Sequence, residues 1–197
     1  MLEQRRHQRI RFGQPPAVRI GYRGRVDEGV IENLSQAGLM VRTAQPLEVG
    51  RPFGCEFSLF GTACVDLVAT AVSRVGDLCG ARFQSGPLSR RLIEEAVRSA
   101  LASGAGSVLA VHELGGRKVL RIAGGLNGSL RNDFMHVLTC GGVDEIDLQG
   151  VTAVDQAGLA LCVVATGRHG AVIGGRSECF AEAWQQALAA PGALAGN

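Results

Sequence analysis

No stretch of this sequence approaches the ~18 consecutive apolar residues that a membrane-spanning helix needs. The amino end, Glu3-Gln4-Arg5-Arg6, also lacks the apolar stretch of a signal peptide. These two absences predict a soluble, cytoplasmic protein. No two cysteines have the CxxC spacing of a zinc or redox site: Cys55, Cys64, Cys79, Cys140, Cys162 and Cys179 are scattered along the chain. Most lie in apolar runs such as Leu161-Cys162-Val163, so they are expected as small buried hydrophobes, with neither a disulfide framework nor a metal site. Catalytic signatures are missing as well. There is no GxSxG, no Walker A loop and no HExxH, and His7, His112, His136 and His169 are dispersed. Each histidine is expected at a surface or boundary, His7 as an exposed spacer. Nothing supports hydrolysis or group transfer, so the expectation is a protein that is not an enzyme.

Acidic residues are scarce at the amino end, where seven arginines fall within the first 25 residues against Glu3 alone. Residues 1–103 hold fourteen Arg and Lys against ten Asp and Glu, whereas residues 104–197 hold six against eight. The local excess points to an anionic ligand or partner. A solvated tail and a nucleic-acid-binding arm are the other readings of such a run. At 197 residues and 46% hydrophobic content, the chain can bury one large core or two small ones.

Residues 17–84 read mostly as strands. Val18, Ile20 and Tyr22 alternate with Arg19, Gly21 and Arg23 at the period of a half-buried strand. Further strands are expected at 29–33, 39–43, 53–59, 65–75 and 78–83, punctuated by Pro46, Gly50 and Gly76-Asp77. Short strands at even spacing favour a barrel. From Pro87 to Ser103 the period becomes helical, with Pro87 suited to a first turn and Gly104 to a stop. Ser103-Gly104-Ala105-Gly106 reads as a domain boundary. Beyond it strands (108–112, 118–123, 145–148, 171–173) alternate with helices (130–138, 157–165, 177–188), the pattern of a partly parallel sheet covered by helices. Gly115-Gly116 reads as a hairpin turn and Asp155 and Ser177 as helix caps. The tail from Pro191 is expected to fray.

Two polar motifs stand near the start. Arg5 and Arg9 form an RxxxR, and Asn33, 24 residues after Arg9, opens Asn33-Leu34-Ser35-Gln36-Ala37-Gly38, an NxSxxG. Arginine's planar fork donates two parallel hydrogen bonds to a phosphate or to the O6/N7 edge of guanine. Asn33 and Ser35 also suit a plain structural turn. In this order and at this spacing, together with Gly80-Ala81-Arg82-Phe83, the motifs resemble the PilZ family of receptors for the bacterial second messenger cyclic di-GMP. The resemblance covers about residues 3–100. It implies a six-stranded β-barrel with a closing helix, and a ligand held by Arg5 and Arg9, with Arg6 adding a phosphate or cation–π contact. It further implies hydrogen bonds to a guanine or phosphate from Asn33 and Ser35. Gly38 is expected to matter through a left-handed backbone, since φ > 0 is cheap only for glycine. A chain with 5% aromatic residues has few rings for base stacking, and an arginine site serves two guanines and two negative charges without them.

The stretch from Ile146 to Leu159 resembles the STAS family, which includes anti-sigma factor antagonists, through Asp147-Leu148-Gln149-Gly150-Val151 and Asp155-Gln156-Ala157-Gly158-Leu159. This resemblance covers about residues 106–190 and implies an α/β mixed sheet flanked by helices. It departs from the family at Gln156, which stands where that family has its phosphorylatable serine. The two resemblances imply a PilZ-like cyclic di-GMP-binding domain over 1–103 and a STAS-like interaction domain over 106–190. The expected function is a non-enzymatic receptor that relays binding to an unidentified protein partner, with a homodimer as a further possibility. The alternative is a partner-switching adaptor whose PilZ part is degenerate.

Overall fold

Side chains alternate between buried and exposed through most of the first half of the chain, as expected for strands with one face on a core. The computed structural model describes residues 8–189. Seven strands come first: β1 (Ile10–Phe12), β2 (Ala17–Tyr22), β3 (Arg25–Ser35), β4 (Gly38–Arg42), β5 (Pro52–Phe57), β6 (Val65–Val75) and β7 (Leu78–Gln84). The run β3-β2-β5-β6-β7-β4 is antiparallel throughout, and β4 pairs back onto β3, which closes a six-stranded barrel. Closure leaves no open edge in the wall. β1 adds outside this circuit, antiparallel to the second half of β3.

The turns follow from the residues that form them. Tyr22 pairs with Arg25 across Arg23-Gly24, whose φ values of +51° and +77° fit the two-residue turn that twisted hairpins favour. Arg23 tolerates this left-handed position in company: its guanidinium lies 5.3 Å from the Tyr22 ring centroid and 2.8 Å from Glu48. Helix α1 (Pro87–Ala102) begins at the expected proline and buries Ile93, Ala96 and Ala100. Gly104, at φ +72°, follows its end.

The described residues divide into two compact units between Ala100 and Leu101. The second contains β8 (Gly106–Leu114), β9 (Arg117–Leu126), a 3-10 turn at Gly128–Leu130, α2 (Arg131–Gly141), β10 (Glu145–Val154), α3 (Gln156–His169), β11 (Val172–Arg176) and α4 (Glu178–Ala189). β8 and β9 form a hairpin through Gly115 and Gly116, both with positive φ, while β9–β10 and β10–β11 are parallel. Leu120, Ile122, Ile146 and Leu148 meet Phe134 of α2, Cys162 of α3 and Phe180 of α4 in one buried cluster, so the helices cover a single face. The alternate residues carry ion pairs instead, Arg121 with Asp147 at 2.9 Å and Arg117 with Glu145 at 3.4 Å.

β10 runs on to Val154 and β11 starts and ends later than the sequence pattern indicates. Register shifts along β10 interrupt its alternation, and Gly174-Gly175 deprive β11 of a pattern. A Cβ at Gly174 would overlap the Glu145 carboxylate. The cysteines also need correcting. Cys55, Cys79 and Cys162 are buried, and burial pushes the Cys55 and Cys162 thiols up to about 12. Cys64 and Cys140 are exposed, because the first sits in the β5–β6 connection and the second on the outer side of α2. His136 is exposed and His112 and His169 are half-buried, whereas His7 and the tail from Pro191 lie outside the described residues. Among the described residues no helix is long and apolar enough to cross a membrane.

Both expected caps form. Asp155 Oδ1 accepts the Gly158 N–H at 2.7 Å, and Ser177 Oγ accepts the Phe180 N–H at 3.3 Å. Asp155→Ala should therefore destabilise the protein by about 1 kcal/mol in urea unfolding, and Asp155→Asn by much less, since asparagine caps equally well. Equal losses in the two variants would assign the effect to charge instead of capping.

Candidate functional site

The outer wall of the barrel is shaped by an irregularity in β3. Ile31 pairs with Val41, but Asn33, not Glu32, pairs with Met40, so β3 carries one extra residue there. Ile31 and Leu34, three apart, both point into the core, and Glu32 and Asn33 lie together between them. Such a bulge re-aims side chains without breaking the sheet. Beyond it Asn33 and Ser35 flank the inward Leu34 on the outer side of the wall.

Ser35 braces the turn into β4. Its hydroxyl donates to the Gly38 carbonyl at 3.1 Å and accepts the Ala37 N–H at 3.3 Å. That leaves one acceptor lone pair and no donor. Asn33 is only 8% exposed, and its side-chain amide has no hydrogen bond among the described residues. An amide so placed retains two donors and an acceptor for something else.

Gly38 is required for a reason other than the expected one. It is not among the residues with positive φ. The constraint is space: a Cβ there would overlap the Ala81 carbonyl oxygen and stand 3.2 Å from Arg82 Cα. Glycine at this point lets β4 come against β7.

Arg9 immediately precedes β1 and is exposed. In the β1–β3 register Ile10 faces Leu34 and Arg11 faces Asn33, so one further step sets Arg9 at the level of Ser35. Arg9, Asn33, Ser35 and Gly38 are thus gathered at one end of β3. Arg5 and Arg6 lie outside the described residues. Sequence reasoning missed Arg11, which the period of two puts on the same side as Arg9. The acid of this region is already engaged: Glu32 accepts from Arg42 Nε at 2.8 Å, while Asp77 takes Arg42 Nη1 at 2.9 Å. Those two carboxylates raise the Arg42 pKa above its ordinary value, and Arg42 lowers that of Asp77. Among the described residues no group of three or more His, Cys, Asp or Glu is placed to hold a metal ion.

Because the obstruction at position 38 is backbone that cannot step aside, Gly38→Ala should cost ~1–3 kcal/mol, the usual range for overpacking. Thermal unfolding of the full chain checks this, and an unchanged midpoint would show that β7 yields.

Solved structures that this chain matches include the PilZ domain of YcgR from Escherichia coli with c-di-GMP, at 21% identity and a TM-score of 0.41, covering 50% of this chain and 95% of that one. The PilZ domain of CeSA from a cellulose-synthesizing bacterium matches at 19% identity and a TM-score of 0.39, covering 46% and 94%. A K. pneumonia MrkH–c-di-GMP complex matches at 15% identity and a TM-score of 0.42, covering 50% and 52%. No curated protein matches the sequence. The family model described as PilZ domain matches residues 3–99, and this segment of the chain is a PilZ domain.

Proposed function

We propose that the chain is a non-enzymatic receptor for cyclic di-GMP, which binds at the amino end of the barrel domain and is relayed through the second domain to a protein partner. The observation that carries this reading is Asn33, a residue only 8% exposed whose amide has no hydrogen bond among the described residues, beside Ser35 and near the register level of an exposed Arg9, within a segment that is a PilZ domain. The E. coli YcgR domain of the same family was solved with c-di-GMP.

The ligand carries two phosphate charges and two guanines, and each group has a suitable counterpart here. Arg9 and Arg5 donate in pairs to phosphate or to the guanine O6/N7 edge, with Arg6 adding charge. Asn33 reads a guanine edge with donor and acceptor together. Ser35, with its proton committed to Gly38, accepts from a guanine N–H and does not donate to phosphate. Gly38 contributes by allowing the strand approach that holds this end of the wall. The two functional domains are drawn at 1–103 and 106–190.

The relay assigns the second domain a STAS-like role, supported by the Asp147–Val151 and Asp155–Leu159 motifs and by the Asp155 cap that opens α3. Gln156 at the first position of α3 excludes control by phosphorylation there. If the relay operates, saturating ligand alters amide hydrogen exchange in α3. Unchanged exchange there would remove the relay and leave the binding reading intact.

Losing one charge-assisted hydrogen bond costs about 1.5–3 kcal/mol, so Arg9→Ala should weaken calorimetric binding of cyclic di-GMP by roughly ten- to a hundred-fold, and Asn33→Ala, which removes neutral hydrogen bonds of about 0.5–1.5 kcal/mol each, by roughly two- to ten-fold per bond lost. GTP and single-stranded RNA serve as controls. Failure of the unaltered protein to bind the messenger at millimolar excess would overturn the reading, and binding of RNA in its place would favour a nucleic-acid arm.

A further inference from the structure

Arg82 lies on β7, between Ala81 and Phe83, which both point into the core, so its own side chain stands on the outer wall and is exposed. It pairs with Gly38 across β4–β7 and with Thr70 across β6–β7. Since Gly38 in turn pairs with Ser35, one row crosses the wall as Ser35, Gly38, Arg82 and Thr70. Ser35 and Arg82 are two strand steps apart, roughly 10 Å at ordinary spacing. Nothing rises between them: any side chain at position 38 would sit against Arg82 Cα.

The charge of Arg82 is also uncommitted. Arg19, Arg23, Arg42 and Arg51 of the same unit pair with carboxylates, and Arg74 donates to the Leu47 carbonyl. Arg82 has no hydrogen bond or ion pair among the described residues. Its neighbours on the outer side do not supply one, because Gln84 is turned to Thr70, where Nε2 donates to Oγ1 at 2.7 Å. A guanidinium with five donors, no acid beside it and an open step to Asn33 and Ser35 is placed to take an anion or a guanine edge.

We propose that Arg82 is a ligand-binding residue that extends the binding face from the β3–β4 turn across to β7, so that a cyclic dinucleotide is held between Arg9 and Arg82. The proposal rests on the cyclic di-GMP reading above, and it adds to the motif a contact that lies outside both RxxxR and NxSxxG.

The test is calorimetric titration of cyclic di-GMP into the full chain as the unaltered protein, Arg82→Gln and Arg25→Gln. Arg25→Gln removes the same charge at the opposite end of β3. The expected result is binding weakened ~10-fold or more in Arg82→Gln and unchanged in Arg25→Gln. The unliganded unfolding midpoint should be the same in all three proteins, and the ligand-induced rise in midpoint smaller in Arg82→Gln alone. Equal weakening in both variants would make the effect one of net charge and overturn the proposal. Full affinity in Arg82→Gln overturns it while the binding reading stands, and no binding by the unaltered protein overturns both.

Discussion

The close approach of β4 to β7 is the constraint on which the N-terminal unit depends. β4 is the strand that closes the barrel, bonded to β3 on one side and β7 on the other, and its first residue has no room for even a methyl group. With that approach the hydrophobic interior is sealed and the polar turn of Ser35 is drawn tight against the neighbouring strand. Without it the wall would open where Asn33 and Ser35 stand. Core and binding face are therefore set by one contact between main chains, and the side chains add chemistry to a frame already fixed.

The second unit solves a different packing problem. Its sheet is covered on one face by α2, α3 and α4, and residues at alternate positions on β9 and β10 form cross-strand ion pairs. Exposed pairs of this kind contribute little to stability. The hydrophobic cluster around Phe134, Cys162 and Phe180 stabilises the unit, and the Asp155 cap fixes where α3 begins.

The six barrel strands were legible because alternation and turn residues agree along residues 17–84. β1 was not: three residues, with Ile10 and Phe12 around one arginine, are too short a pattern to separate from a basic arm. β11 was legible only over 171–173, because at Gly174-Gly175 absent side chains make room for Glu145 and Asp147 and leave no period to read. The motif residues could be picked out by type and spacing, yet the role of Gly38 could not. A sequence shows that glycine stands there, whereas whether dihedral freedom or bare space is needed depends on which strand passes by. Arg82 was visible only as part of a closing strand, since its partners across the wall are set by pairings between distant segments.

The extra residue at Glu32-Asn33 has one more consequence. Side chains in a strand change sides at every residue, so a regular strand of the same length, without the bulge, would turn Leu34 outward and send Asn33 and Ser35 into the oily interior. The recognition chemistry and the greasy lining are thus locked in phase with each other. Shortening the strand by one residue at the bulge would leave Leu34 inward and cost only one of the two outward side chains, whereas straightening it at full length would reverse both sets at once.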